Sequence, residues 1–266
     1  MSHFQVYKNL SNATIKFIKS LRLKKYRLQE NSFVLEGEKN VTQLLTADYH
    51  IKMVVCTTPF FNLHTHLLAK QEIEVFQVDE KTLSSLGTFQ ANNAALAVAT
   101  IPSNKPFELS KRPYSLVLDD INDPGNLGTI IRIADWYNMG GIICSSHTVE
   151  LYNPKVLHAS MGSFMRVNVY YTDLSAYLAQ TELPVIGAFT NGQNIHDPQT
   201  TWPSTGLIVI GNEAHGISQQ LIPYIHQKIS IPRYGHAESL NAAVATAVIC
   251  DNFSRVISRG INFIQK

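Results

Sequence analysis

The feature that most narrows the possible folds of this chain is a rhythm in its second half. Short apolar runs without polar alternation recur at Ser115 to Leu118, Gly141 to Cys144, Val167 to Tyr170, Val185 to Ala188, Leu207 to Ile210 and Ile229 to Ile231. Among them lie stretches of helical periodicity: Leu127 to Tyr137, Lys155 to Met161, Leu174 to Ala179 and Ser239 to Ser258. A strand that is apolar on both sides must be covered on both faces, and strands joined through helices run parallel. The expectation is an α/β domain, a mainly parallel sheet in three layers. In such sheets ligands bind outside the carboxyl ends of the strands.

The first hundred residues alternate less cleanly. A basic amphipathic helix from about Asn9 to Leu23 leads into Phe33-Val34-Leu35 and a helical stretch from Glu38 to Leu45. Strands are expected at Lys52 to Cys56, Val75 to Val78 and Ala94 to Ala99, with helices at Phe60 to Lys70 and Glu80 to Leu86. That pattern reads as a smaller α/β domain. The segment IPSNKPFELSKRP, residues 101–113, holds three prolines and little periodicity, so it reads as a linker. The expected division is 1–101, a linker at 102–113, and 114–266.

At 266 residues and 45% hydrophobic, the chain is long enough for two cores. No stretch approaches the ~18 uninterrupted apolar residues of a membrane span. The start, MSHFQVYKNL, has no apolar segment behind a basic one, so neither a membrane nor a secretory signal is expected. Cys56, Cys144 and Cys250 are far apart and form no CxxC, which suggests reduced core residues of a cytoplasmic protein. His64-Thr65-His66 is the nearest thing to a metal pair and is not read as one.

The net charge of +2 says little, but its distribution is uneven. Lys8, Lys16, Lys19, Arg22, Lys24, Lys25 and Arg27 face a single acid, Glu30, within the first thirty residues. Such a patch can track phosphates, and Lys16, Lys19, Arg22, Lys24, Lys25 and Arg27 are the candidate nucleic-acid contacts. The bland alternative is a solvated helix face.

Three loops at strand ends carry the polar chemistry. The first, DDINDPGNLGTIIR (119–132), holds Gly125 and Gly128, which permit close backbone approach, Asn126, read as a helix N-cap, and Arg132. It matches neither a dinucleotide fingerprint nor a P-loop. The second, GNEAHG (211–216), places Asn212 and Glu213 where the strand Leu207 to Ile210 must turn. The third, IPRYGHAESLN (231–241), puts Ser239 at an expected N-cap and Asn241 in the first helical turn, where free amides face outward. Together they suggest a concave site for a polar organic ligand. No nucleophile pattern is present, which favours reaction between two bound substrates over covalent catalysis.

Asn126-Leu-Gly-x-x-x-Arg132, Gly211-Asn-Glu213-x-x-Gly216 and Ile231-Pro…Ser239-Leu240-Asn241 resemble, in order, the three motifs of the SpoU/TrmH family of RNA ribose 2′-O-methyltransferases. NPKVLHASMGSFMRV (153–167) and FVLEGEKNV (33–41) are similar to that family as well. The resemblance implies S-adenosylmethionine as cofactor and a deep trefoil knot in the C-terminal domain. It also implies a homodimer with the RNA site built across the interface, and RNA binding by the N-terminal domain. On this resemblance Ala188, Gly211, Asn212, Gly216, Ile231 and Leu240 would hold the cofactor, and Asn126, Arg132, Glu213, Ser239 and Asn241 would be catalytic. The substrate would be ribosomal RNA, 23S in particular, in preference to tRNA. Family members are often assigned the arginine as base. A guanidinium stays protonated, so the expectation here is that Arg132 binds phosphate and stabilises the developing alkoxide. The alternatives are a non-catalytic RNA-binding or ribosome-assembly factor on the same fold, and an unrelated nucleotide-binding enzyme.

Overall fold

The computed structural model describes residues 5–7, 9–70, 72–88, 92–109 and 112–258. Lys8 lies outside the described residues. The chain divides into two compact units, Met1–Ser103 with Tyr152–Met165, and Asn104–Leu151 with Arg166–Lys266.

The first unit holds β1 (Gln5–Tyr7), α1 (Asn12–Ser20), α2 (Lys24–Gln29), β2 (Ser32–Glu36), α3 (Glu38–Leu44), β3 (Ile51–Cys56), α4 (Thr58–Leu68), β4 (Glu74–Gln77), α5 (Glu80–Leu86) and β5 (Ala95–Thr100). Its sheet runs β1-β4-β3-β5-β2, with β5 antiparallel to both neighbours and the rest parallel. Ile18, Leu21, Val55, Leu83, Leu86, Leu96 and Val98 fill a core beneath it.

The basic helix expected over Asn9 to Leu23 is α1, shorter at both ends, and a second helix not read from the sequence, α2, follows it across a corner. Ser11 caps α1 by accepting from Thr14 N–H at 3.0 Å. The chain then turns at Leu21, and Arg27 points inward with 2% of its surface exposed. Its Nη1 donates to the carbonyls of Leu21 at 2.7 Å and Arg22 at 2.8 Å, which the corner leaves without helical partners. Burial pulls its pKa down to about 10, so the guanidinium stays charged at neutral pH. Arg22 Nη2 donates to the carbonyls of Leu86 at 2.9 Å and of Gly87, at the carboxyl end of α5. Two of the six candidate RNA contacts therefore have structural partners, while Lys16, Lys19, Lys24 and Lys25 are exposed. Arg27→Ala is expected to lower unfolding stability by about 2 kcal/mol, since it strips charged hydrogen bonds from a buried corner. Measured by denaturant melting, no loss of stability would return Arg27 to the surface role read from the sequence.

The second unit opens with β6 (Tyr114–Leu118), α6 (Pro124–Trp136) and β7 (Ile142–Ser145). Next, α7 (Pro154–Ser160), capped by Asn153, belongs to the first unit and packs on β2. The second unit resumes with β8 (Val169–Thr172), α8 (Leu174–Ala179), β9 (Val185–Asn194), β10 (Gly206–Ile210), β11 (Gln227–Ser230) and α9 (Ala242–Ser258). Its sheet runs β11-β9-β10-β6-β7-β8, and every pairing is parallel. All residues of β6 and β10 are buried, as their unbroken apolar runs require.

Within the segment read as linker, Phe107 and Leu109 pack against the core of this unit and Asn104 is bonded to it. Asn104 exchanges two hydrogen bonds with the backbone of Tyr171, at 2.8 and 2.9 Å, and so covers the open edge of β8. Phe107 lies over Gly141, where a Cβ would come within 2.3 Å of the ring. The three cysteines are free and buried, and burial pushes the Cys56 thiol up to about 12. Among the described residues no helix is long and apolar enough to cross a membrane, and no cluster of metal ligands occurs.

Candidate active site

Because the second sheet is wholly parallel, all its carboxyl ends lie along one edge. The order β11-β9-β10-β6 therefore sets the segments after Ser230, Gly187, Ile210 and Leu118 side by side. These segments contain the three loops singled out in the sequence, plus a fourth. In β9, Gly187 pairs with Lys228, yet the next pair is Gln193 with Ile229. Residues 188–192 are pushed out of the ladder, and Ala188 opens that excursion, half-buried.

The loop after β10 is drawn tight by Asn212. Its backbone exchanges hydrogen bonds with Gly216 at 3.0 and 2.9 Å. Its Oδ1 accepts from Ala214 and His215 N–H, and its Nδ2 donates to the Asp120 carbonyl at 2.7 Å. Asn212, expected to touch cofactor, uses these bonds of its backbone and its amide to shape the loop. Gly216 sits at φ +69°, which favours glycine. At Gly211 a Cβ would fall 2.2 Å from the backbone of Gly216 and Ile217, so the loop folds back on it directly. Asp119, buried at the end of β6, accepts from Ser218 N–H at 2.7 Å and ties the far side of the same loop.

One polar relay crosses three of these segments. Asn241 Oδ1 accepts from Ala243 and Val244 N–H at 2.9 and 3.2 Å, which makes Asn241 the N-cap of α9. That role fixes its amide, so Nδ2 faces outward and donates to Asn126 Oδ1 at 2.7 Å. Asn126 Nδ2 in turn donates to Glu213 Oε1 at 2.8 Å. The direction of every bond follows from the helix cap at one end and the carboxylate at the other. Asn126 is 8% exposed, while Asn241 and Glu213 are exposed, so the relay is anchored on a buried amide and reaches the surface at both ends.

Two sequence assignments change here. Ser239 was read as the cap of the last helix, but α9 begins at Ala242, and Ser239 is exposed with no hydrogen-bond partner among the described residues. Asn126 was read as the cap of α6, but Asp123 Oδ1 takes that role, accepting from Asn126 N–H at 2.8 Å. Pro124 follows at the first helical position, where a missing N–H costs nothing. The second shift frees the Asn126 amide for the relay, and the first fixes the Asn241 amide so that only its Nδ2 is left for it. Asp119, Asp123 and Ser218 were missed; the run Asp119-Asp120-Ile-Asn-Asp123 was the signal for the two acids, and nothing local marked Ser218.

Arg132 stands apart from the relay. It is exposed on α6, with no hydrogen bond or ion pair among the described residues. One turn on, Trp136 is 84% exposed, and Val244 is exposed on α9, which packs against α6. Leu240 is 50% exposed beside the relay, and Ile231 is half-buried at the start of the same loop.

A family model described as the SpoU rRNA Methylase family matches residues 113–251, and one described as the MRM3-like substrate binding domain matches residues 12–97. The 23S rRNA (guanosine(2553)-2′-O)-methyltransferase RlmP of Bacillus subtilis is 27% identical over 242 residues, 90% of this chain and 94% of that protein. The 23S rRNA (uridine(2479)-2′-O)-methyltransferase of Streptomyces viridochromogenes is 29% identical over 64% of this chain and 63% of its own length. The AdoMet-bound rRNA methyltransferase from Sinorhizobium meliloti superposes with a TM-score of 0.82 at 25% identity, covering 96% of this chain and 99% of that one.

Proposed function

Since the chain belongs to the SpoU rRNA methylase family, we propose that it methylates a ribose 2′-hydroxyl of 23S ribosomal RNA, using S-adenosylmethionine, as a cytoplasmic homodimer. The observation that carries this reading is the Asn241–Asn126–Glu213 relay, intact inside the stretch that matches the family.

The residues fit the cofactor. Ala188, Ile231 and Leu240 are partly accessible apolar side chains on neighbouring loops, suited to an adenosine, and the glycines at 211 and 216 bring backbone close beside them. S-adenosylmethionine supplies the electrophilic methyl group. The chain positions the ribose, with the relay amides and the free Ser239 hydroxyl as its orienting groups. Arg132 binds the neighbouring phosphate and stabilises negative charge as the hydroxyl proton leaves to phosphate or water. Its place on an exposed face of α6, with Trp136 beside it, supports a site completed by a second copy. The exposed lysines of α1 and α2 support RNA binding by the first unit. The knot belongs to the same reading. It is supported by the path from the edge strand β11 through residues 231–241 to α9, which lies against α6.

Transfer of labelled methyl groups into ribosomal RNA, with 2′-O-methyl mapping in cells with and without the protein, tests the activity. Tight RNA binding with no transfer would make it a non-catalytic factor. The cofactor site is best tested at Leu240, because a side chain at Gly211 would break its own loop before meeting any ligand. Leu240→Arg is expected to weaken S-adenosylmethionine binding at least about tenfold in calorimetry, through bulk and repulsion of the sulfonium, with an unchanged melting temperature. Wild-type affinity in that variant would move the cofactor elsewhere.

A further inference from the structure

Tyr234 is 89% exposed, in the loop that runs from Ile231 to the relay residue Asn241. Its ring makes no stacking contact and its hydroxyl no hydrogen bond among the described residues, so it does nothing for the packing of the chain. Residues 233–241 are all exposed and have no regular secondary structure. Arg233 precedes the ring and bends back, its Nη1 donating to the Ala237 carbonyl at 3.4 Å. Between them, Gly235 has open space on its side-chain position. The loop thus presents an exposed aromatic ring next in sequence to an arginine, a short distance along the chain from the amide that joins the relay.

We propose that Tyr234 is the stacking platform for an unpaired base of the substrate RNA, with Arg233 holding an adjacent phosphate. The proposal rests on the reading of the chain as an RNA ribose methyltransferase. A base within a helix is stacked on its neighbours and offers no free face, whereas bases in loops and bulges can be splayed onto aromatic side chains. An aromatic face paired with a cation is the combination that single-stranded nucleic acid selects. A second copy of the chain is the weaker fit. Arg233 and Glu238 lie close to Tyr234 in the chain, and charged residues are depleted at the centre of protein interfaces. Stacking here would set which nucleotide arrives at the relay, so Tyr234 is a substrate-selecting residue.

The test uses the full-length protein and a twelve-nucleotide single-stranded RNA carrying 2-aminopurine, with the matched duplex as control. Tyr234→Ala should weaken single-strand binding about tenfold and abolish the fluorescence change on binding, while Tyr234→Phe and Tyr234→Trp retain both. The salt dependence should be unchanged in Tyr234→Ala, because a stack releases no counterions. In Arg233→Ala the slope should be shallower by about 0.7. Wild-type affinity in Tyr234→Ala, or equal loss in the phenylalanine and tryptophan variants, overturns the platform. So does a fall in S-adenosylmethionine affinity, which would make the ring a cofactor wall, or altered sedimentation, which would place it between copies. A wild type that transfers no methyl group to ribosomal RNA removes the underlying reading and the proposal with it. A wild type that transfers, with Tyr234→Ala binding the oligonucleotide normally, removes the platform alone.

Discussion

Arg132→Ala should lower methyl-transfer turnover about a hundredfold while leaving S-adenosylmethionine affinity and melting temperature nearly unchanged. The rate loss corresponds to about 3 kcal/mol, the usual cost of removing one donor aimed at developing negative charge. Fold and cofactor site should survive because the side chain is exposed and has no hydrogen bond or ion pair among the described residues. Arg132→Lys should restore little, since an ammonium cannot reproduce the planar fork that grips phosphate. A merely solvated arginine would instead give activity within about twofold, because exposed charges contribute little. The pH–rate profile separates two catalytic roles. A guanidine base would leave an ionisation in the wild-type profile that disappears in Arg132→Lys, and a purely electrostatic role would not. Finding that ionisation would keep Arg132 catalytic and discard the role assigned to it here.

The second large effect is expected at Asn126→Asp, a change of one atom in the middle of the relay. Asn126 now donates to Glu213 Oε1 at 2.8 Å and accepts from Asn241 at 2.7 Å. An aspartate keeps the acceptor but replaces the donor with a second carboxylate oxygen facing Glu213. Two carboxylates so close do not both ionise readily, so the variant pair should hold a proton to higher pH than an isolated carboxyl group. While that proton is bound, a donor lies between the two groups and the relay is whole. As pH rises and the proton leaves, repulsion opens the relay. Activity in the variant should therefore fall with rising pH, by on the order of tenfold or more above neutrality, and recover on acidification. Measuring turnover of wild type and variant across the same pH range checks this. A variant as active as wild type throughout would show that the relay is structural and does not serve the reaction.

Much of the architecture was written in local pattern. The unbroken apolar runs around Leu116 and Ile208 could only be central strands, and both lie fully buried in the parallel sheet. The shared carboxyl end of adjacent parallel strands brought Asn126 and Glu213 together after β6 and β10, while Asn241 reached them through the loop 231–241 that carries the chain from edge strand β11 to α9 against α6. The same reasoning does not reach a residue's partners that are distant in sequence. Arg22 and Arg27 read as part of a charged face, and nothing in their local spacing shows that the α1–α2 corner and the end of α5 leave carbonyls needing donors. Asn212 read as a ligand contact, yet the Asp120 carbonyl that claims its amide lies 92 residues away.

Helix boundaries drew a similar line. Ser239 and Asn241 are both good caps by residue type, and composition does not choose between them. The choice was made by Asn126, which takes the Asn241 amide only if Asn241 sits at the cap and its oxygen is already bound to Ala243 and Val244 N–H. Sequence by itself determined the parallel strands of the second unit and the family motifs, because these follow from hydrophobic periodicity and from residues close together in the chain, whereas the short β1 and the antiparallel place of β5 in the first unit were not legible in it. Tertiary structure alone decided which polar groups are consumed in holding loops and which remain for a ligand. A hydrogen bond satisfies its donor and acceptor through geometry, and no local pattern records what a partner a hundred residues away has already taken.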